Sequence, residues 1–176
     1  MGSIVTTTNA TSALAQPAQY LTFFLAGEMF AIAILGIKEI IEHGPETLVP
    51  MMPSFVRGVI NLRGAVVPVV DLSARFGGPM SVITRRSCIV IIEARDAEGQ
   101  GQDIGLLVDT VSAVLDIPAA RIAPPPAFGA QVRADFIEGM AKIEDKFIIV
   151  LKVDQVLSID DMAQSIGSDA DGGVAG

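Results

Sequence analysis

The sequence predicts a mainly β protein: two similar five-stranded barrels on a shared hydrophobic core, with a few short helices. Three observations carry this prediction. First, 51% of the 176 residues are hydrophobic, yet only 5% are aromatic and none is Trp. An aliphatic core of this kind suits short strands closed into small barrels. Second, short Val-, Ile- and Leu-rich runs alternate with Gly, Pro, Asn and Asp signals, the pattern of strands separated by tight turns. Third, the chain repeats itself. The run from Phe30 resembles the run from Ile104, at an offset of 74, and Phe55-Val-Arg-Gly-Val-Ile resembles Phe136-Ile-Glu-Gly-Met-Ala, at an offset of 81. Each small barrel is too short for a robust core of its own, so the two must share one.

Charge and composition exclude several classes. The formal net charge is −8, which argues against nucleic acid, because phosphate neutralisation needs clustered Lys and Arg. It also argues against docking on an anionic membrane. No apolar run reaches the ~18 residues that a spanning helix needs, so a soluble, cytoplasmic protein is expected. One His and one Cys cannot assemble an ordinary zinc site, and no metal or cofactor is expected. Cys88 lies in an apolar run and reads as a buried small hydrophobe.

In chain order, residues 1–17 are Thr-, Ser-, Asn- and Ala-rich without Lys or Arg, and read as a flexible leader rather than a signal peptide. Residues 20–26 form a strand, Gly27-Glu28 a two-residue turn, and residues 29–33 a second strand. Residues 35–41 fit either a strand or a helical turn, because Ile37, Ile40 and Ile41 suit both spacings. Gly44-Pro45 breaks this run, and a loop with Pro50 and Pro53 leads to Ser54.

Residues 55–72 are the stretch around which the chain is organised. Two β-branched runs flank Asn61-Leu62-Arg63-Gly64, which suits the φ > 0 positions of a tight hairpin. Pro68 has no N–H for a ladder, so its strand is expected to be an edge or to carry a bulge. Asp71 opens a short helix as its cap, and Gly77-Gly78-Pro79 stops it. Residues 86–93 form the next strand, 94–102 a polar loop, and 103–116 two further strands. Residues 118–126 are Pro-rich and extended. A second hairpin crosses Glu144-Asp145, and Asp154 is expected to cap a closing helix. The tail, 159–176, is acidic and Gly-rich, and is expected to be partly disordered. Within a domain spanning 18–158, the barrels are expected at roughly 28–80 and 85–157, with the 18–26 strand a candidate member of the second.

Catalytic chemistry is hard to place. No phosphate-binding loop or nucleophile elbow occurs. His43 stands alone beside Gly44-Pro45 and reads as a surface loop residue. Asp71 and Asp109 are the candidates for a remote hydrolase reading, as paired acid and base, although capping suits Asp71 better. What remains is a surface that binds. Ile37, Glu39 and Ile40 offer an apolar patch with one carboxylate, and a groove between barrels would suit a helix with an apolar stripe. Arg63, a fixed cation at a hairpin tip, can either fork onto a local carboxylate or meet a partner. Its tetrad becomes Lys142-Ile143-Glu144-Asp145 in the second copy, which favours a role beyond the barrel.

Residues 55–72, with Gly58-X-X-Asn61-Leu62-Arg63-Gly64 followed by Pro68 and Asp71-Leu72, resemble the signature of the CheW family of chemotaxis coupling proteins. Phe30-Ala-Ile, Ile37-Lys38-Glu39-Ile40, Gly105-Leu-Leu-Val-Asp109, Pro124 to Phe128 and Phe136-Ile-Glu-Gly139 extend the resemblance over about 19–157. Ala33 departs from it, standing where members often carry Asp. The resemblance implies two SH3-like barrels and no enzymatic activity. It implies an adaptor that bridges the cytoplasmic tips of transmembrane chemoreceptors to the histidine kinase CheA, recruited to receptor arrays at the inner membrane. Carried onto this sequence, the receptor-facing residues are Ile37, Glu39, Ile40 and Gly58. The kinase-facing residues are Arg63, Gly64 and Val66, with Phe128 at the opposite end. The alternative within the same fold is a coupling protein for a non-chemotactic receptor–kinase array.

Overall fold

A computed structural model describes residues 18–95, 98–124 and 134–158. Among these, eleven strands form two sheets. The strands are β1 (Ala18–Leu25), β2 (Glu28–Ala33), β3 (Ile37–Glu42), β4 (Val56–Leu62), β5 (Ala65–Asp71), β6 (Cys88–Arg95), β7 (Gly101–Val108), β8 (Thr110–Ile117), β9 (Ile122–Ala123), β10 (Ile137–Ile143) and β11 (Lys146–Leu151). Two one-turn helices, α1 (Leu72–Arg75) and α2 (Val153–Val156), follow β5 and β11.

The five-stranded sheet has the order β3-β6-β7-β5-β4, and the six-stranded one β8-β1-β2-β11-β10-β9. Each closes on itself. Past β3 the chain returns so that Thr47 bridges Val59 of β4, and past β8 it returns as β9 to pair with β10. The architecture is thus two small barrels, mainly β, as the composition and repeat predict.

The division of the chain between barrels is different from the expected one. Residues 28–33 lie in the second barrel, while β6 and β7 lie in the first; β1 pairs with β2 and β8 in the second. The cause is a pair of parallel contacts, β2 with β11 and β5 with β7, which exchange a hairpin between the halves. Hydrophobic pattern specifies that a strand is buried but not its distant neighbour.

Exchange also explains the near-continuous apolar runs, which are typical of strands buried on both faces. In β6, Ile89 and Ile91 fill the first barrel, while Val90 and Ile92 face the shared core. In β2, Ala31 faces the second barrel, while Phe30 and Ile32 face the shared core. Each fully buried Leu, Ile or Phe stabilises by about 1.5–3 kcal/mol, so neither barrel keeps its stability without that cluster. Cys88 is half-buried at its margin, and its thiol lies 3.3 Å from the Arg86 carbonyl.

The 81-residue repeat is visible in the backbone. Asp71 N–H donates to the Phe55 carbonyl and Lys152 N–H to the Phe136 carbonyl, both at 2.7 Å. Both hairpins carry one extra residue near their start, Arg57 in β4 and Glu138 in β10. The glycine after each is needed for close approach. A Cβ on Gly58 would strike the Thr47 carbonyl, and one on Gly139 the Ala123 carbonyl. Where the two copies meet, the buried Arg75 guanidinium lies 5.0 Å from the Phe55 ring and 4.7 Å from the Phe136 ring. Its Nε–H donates to the Val156 carbonyl at 2.9 Å.

Several local expectations are corrected. The first hairpin turns on Ala26-Gly27, both at positive φ (53° and 82°), because Glu28 already pairs with Leu25. Residues 34–41 hold both readings, a 3-10 turn at Ile34–Gly36 and then β3. Pro68 sits inside the sheet order, not on an edge strand. β7 joins β5 only from Val69 onward, so no partner on that side asks for the missing N–H. Asp154 does not cap α2: Lys152 holds the cap position, without a side-chain bond, and Asp154 sits in the first turn. The leader and the tail lie outside the described residues.

Candidate functional site

The β4–β5 hairpin turns on Arg63 and Gly64, at φ 52° and 87°, the left-handed pair that a two-residue turn of this hand requires. Asn61 Oδ1 accepts the Gly64 N–H at 2.9 Å and fixes the turn. Arg63 then forks onto Glu39 of β3, with Nη1 to Oε1 at 2.7 Å and Nη2 to Oε2 at 2.8 Å. Both distances are short, as expected of a bidentate guanidinium–carboxylate pair. The bond and charge of Glu39 push the Arg63 pKa further up, so the guanidinium is a cation at any physiological pH. The Arg63 side chain is 75% exposed and that of Glu39 is 24% exposed. The pair therefore stands at the surface, within reach of a partner.

The expected residues fall around this pair. Ile40, next to Glu39, is 42% exposed, and Val66, past the turn, is 68% exposed. Ile37 is half-buried and packs on the shared core. Gly58 is buried under Thr47, five residues back along β4 from Arg63. The structure thus brings Glu39 and Arg63 into contact, with Ile40 and Val66 exposed near them, and sets Gly58 apart. Phe128 lies outside the described residues.

The hydrolase reading is corrected by the two carboxylates it needs. Asp71 is fully buried. It accepts from Ala74 N–H (3.2 Å), Ser81 N–H (2.7 Å), Ser81 Oγ–H (3.0 Å) and Arg57 Nη1–H (3.1 Å). Asp109 Oδ2 accepts the Ala26 N–H at 2.8 Å and pins the β1–β2 turn. Each is committed to a structural partner, and they serve different elements. His43 is also not a surface residue. Its side chain is mostly buried, with Nε2 3.3 Å from Glu46 Oε1 but out of line for a hydrogen bond. Glu46 in turn accepts from Arg57 Nε at 3.2 Å. No group of three or more His, Cys, Asp or Glu is placed to hold a metal among the described residues. None of the described helices is long and apolar enough to cross a membrane.

The sequence reading missed this network around Arg57. The signal was present in the repeat, where Arg57 stands against Glu138 and Asp71 against Lys152.

The double barrel presents a charged, exposed hairpin tip, and its Asp71 and Asp109 carboxylates each hold local structure, the make-up of a scaffolding module. Comparison with known proteins makes the class specific. The model of the CheW-like domain matches residues 19–161, and the chain belongs to the CheW-like family. The chemotaxis protein CheW of Rhizobium meliloti is 36% identical over 150 residues, covering 85% of this chain and 94% of that protein. Protein FrzA of Myxococcus xanthus is 31% identical over 136 residues, covering 76% of this chain and 80% of that one. The crystal structure of the scaffolding protein TtCheW from Thermoanaerobacter tengcongensis aligns with a TM-score of 0.71 at 35% identity, covering 82% of this chain and 90% of that one. The two barrels are accordingly of the SH3-like kind.

Proposed function

We propose that this protein is a non-enzymatic adaptor that couples transmembrane chemoreceptors to the histidine kinase CheA in chemotaxis signalling. It is cytoplasmic and is recruited to receptor arrays at the inner membrane. The single observation that carries the reading is the Glu39–Arg63 pair. It ties β3, with the receptor-facing candidates Ile37, Glu39 and Ile40, to the hairpin tip, with the kinase-facing candidates Arg63, Gly64 and Val66. Gly58, buried under Thr47, belongs to the first set, and Phe128 to the second, through the family resemblance alone.

The mechanism is scaffolding with transmission. A receptor helix on β3 competes for, or orients, the Glu39 carboxylate. That changes how firmly Arg63 is held and what it offers a kinase domain. A receptor shifts the kinase only by the difference in its affinity for the two arrangements. The pair is exposed and bidentate, so it is specific in geometry yet cheap to exchange.

The test is a titration of purified CheA with wild-type protein and Arg63→Glu. Weaker binding with an unchanged melting temperature supports the assignment; unchanged binding overturns it. The second reading, a scaffold for a non-chemotactic receptor–kinase array, is the alternative within the same fold. Deletion of the gene, scored separately for swimming and for surface behaviour, separates the two.

A further inference from the structure

Two loops stand on either side of the β4 bulge, and Arg57 ties both down. Its Nε–H donates to Glu46 Oε1 at 3.2 Å, and its Nη1–H to the Ser81 carbonyl at 3.2 Å. The first loop is pinned again where Thr47 bridges Val59. Large apolar side chains nevertheless stand out from both loops. Leu48 is 82% exposed, Met51 90%, Met80 44% and Val82 79%. Monomers seldom leave so much apolar surface on one face unless something covers it.

The second loop runs on to Arg85 and Arg86, both exposed. No carboxylate among the described residues lies within ion-pair distance of either guanidinium. An apolar face bordered by two uncommitted cations selects an occupant that is both acidic and apolar. A second copy using the same face would set Arg85 and Arg86 against themselves, a like-charge contact. The chain carries a better match. Residues 159–176 hold four Asp and no Lys or Arg, and Ile159, Met162 and Ile166 follow the i, i+3, i+7 spacing of an apolar stripe. Their point of departure is close. The Val156 carbonyl of α2 accepts the Nε–H of Arg75, the last residue of α1, from which the chain runs out through Met80 and Val82 to Arg86. Eighteen residues span at most about 60 Å, more than the width of a domain of this size.

We propose that the acidic tail, residues 159–176, docks back on this face. Its apolar side chains cover Leu48, Met51, Met80 and Val82, and its carboxylates meet Arg85 and Arg86. Tethering supplies an effective concentration of about 1 mM, so an intrinsic dissociation constant as weak as that keeps the face covered about half the time. A partner that takes this face must first displace the tail.

The test uses the full chain carrying Cys88→Ala and Ser168→Cys, with a nitroxide on the new thiol and the reduced label as reference. The amide NMR signals of Leu48, Met51, Met80 and Val82 are expected to lose about half or more of their intensity at low salt. Most of it is expected to return at about 1 M salt, where charges are screened within ~3 Å. In Arg85→Glu/Arg86→Glu it is expected to return at low salt as well. Both substitutions lie on exposed positions, and thermal melts of each chain establish that the fold is intact. Full intensity at these amides in the starting chain, or a loss that the two Arg substitutions leave unchanged, overturns the proposal. An equal loss on label-free chains mixed with labelled ones assigns the face to a second copy and likewise overturns it.

Discussion

The buried carboxylate of Asp71 gives the most exacting stability prediction. Asp71→Ala removes an acceptor with no solvent exposure and takes a partner from four donors: the Ala74 N–H, the Ser81 N–H and Oγ–H, and Arg57 Nη1, which keeps the Ser81 carbonyl at 3.2 Å. Each bond to a charged acceptor contributes about 1.5–3 kcal/mol, but such values do not add. Two facts moderate the loss. Arg57 keeps Glu46, and its side chain is 19% exposed, so it recovers some water. The Ser81 hydroxyl can rotate. The expected destabilisation is about 3–5 kcal/mol, as for breaking other buried pairs by removing one partner. For a domain of this size that lowers the melting temperature by roughly 10 °C. Asp71→Asn keeps the cap oxygen but points an NH2 at the Ser81 and Arg57 donors, so it should cost about as much as the truncation. Urea denaturation read by circular dichroism and by fluorescence of a single introduced Trp checks both the value and the two-state assumption. A loss below about 1 kcal/mol for Asp71→Ala would refute the view that this network holds loop 76–83 and the β4 bulge together.

Further outcomes are expected elsewhere. Asp145→Gly should stabilise by about 0.5–1 kcal/mol in urea, because Glu144 and Asp145 hold the second turn at φ 50° and 67° without a glycine. Gly58→Ala should cost about 1–3 kcal/mol by driving a Cβ into the Thr47 carbonyl, and Gly139→Ala about as much against Ala123. Burial, and then the charge of Glu138, raise the Tyr20 pKa above its ordinary 10.0. Its neutral form therefore contributes stability that is fully present below pH 10.0 and is lost as pH rises through the higher folded value; Tyr20→Phe should flatten that alkaline limb in melts taken across it. Lys38 is likewise raised above 10.5 by its hydrogen bond to Asp103, so Lys38→Met should change stability little near neutrality and remove a small loss at still higher pH.

What the sequence made legible follows from which interactions are local. The hairpin at Asn61-Leu62-Arg63-Gly64 and the cap at Asp71 were readable because turn chemistry and capping act over two or three residues. The repeat was readable because the same short motif recurs, and Phe55 and Phe136 do occupy equivalent places. The sharing of strands between barrels was not readable, since it depends on parallel pairings such as Val69 with Gly105 that leave no local mark. The site was legible in part. Ile40 and Val66, named as candidates, are exposed, but the partner of Arg63 lies 24 residues away on β3. The choice between a local carboxylate and an external one therefore waited for the fold. With Glu39 as its local partner, Arg63 can bond an external carboxylate only by sharing or leaving a bond already made.

Co-purification from the native cell tests the central claim most directly. The tagged full chain, isolated under mild conditions, is expected to bring down both a histidine kinase and a transmembrane chemoreceptor. The Arg63→Glu chain is expected to retain the receptor and lose most of the kinase. Recovery of neither partner with the wild-type chain would contradict the adaptor account.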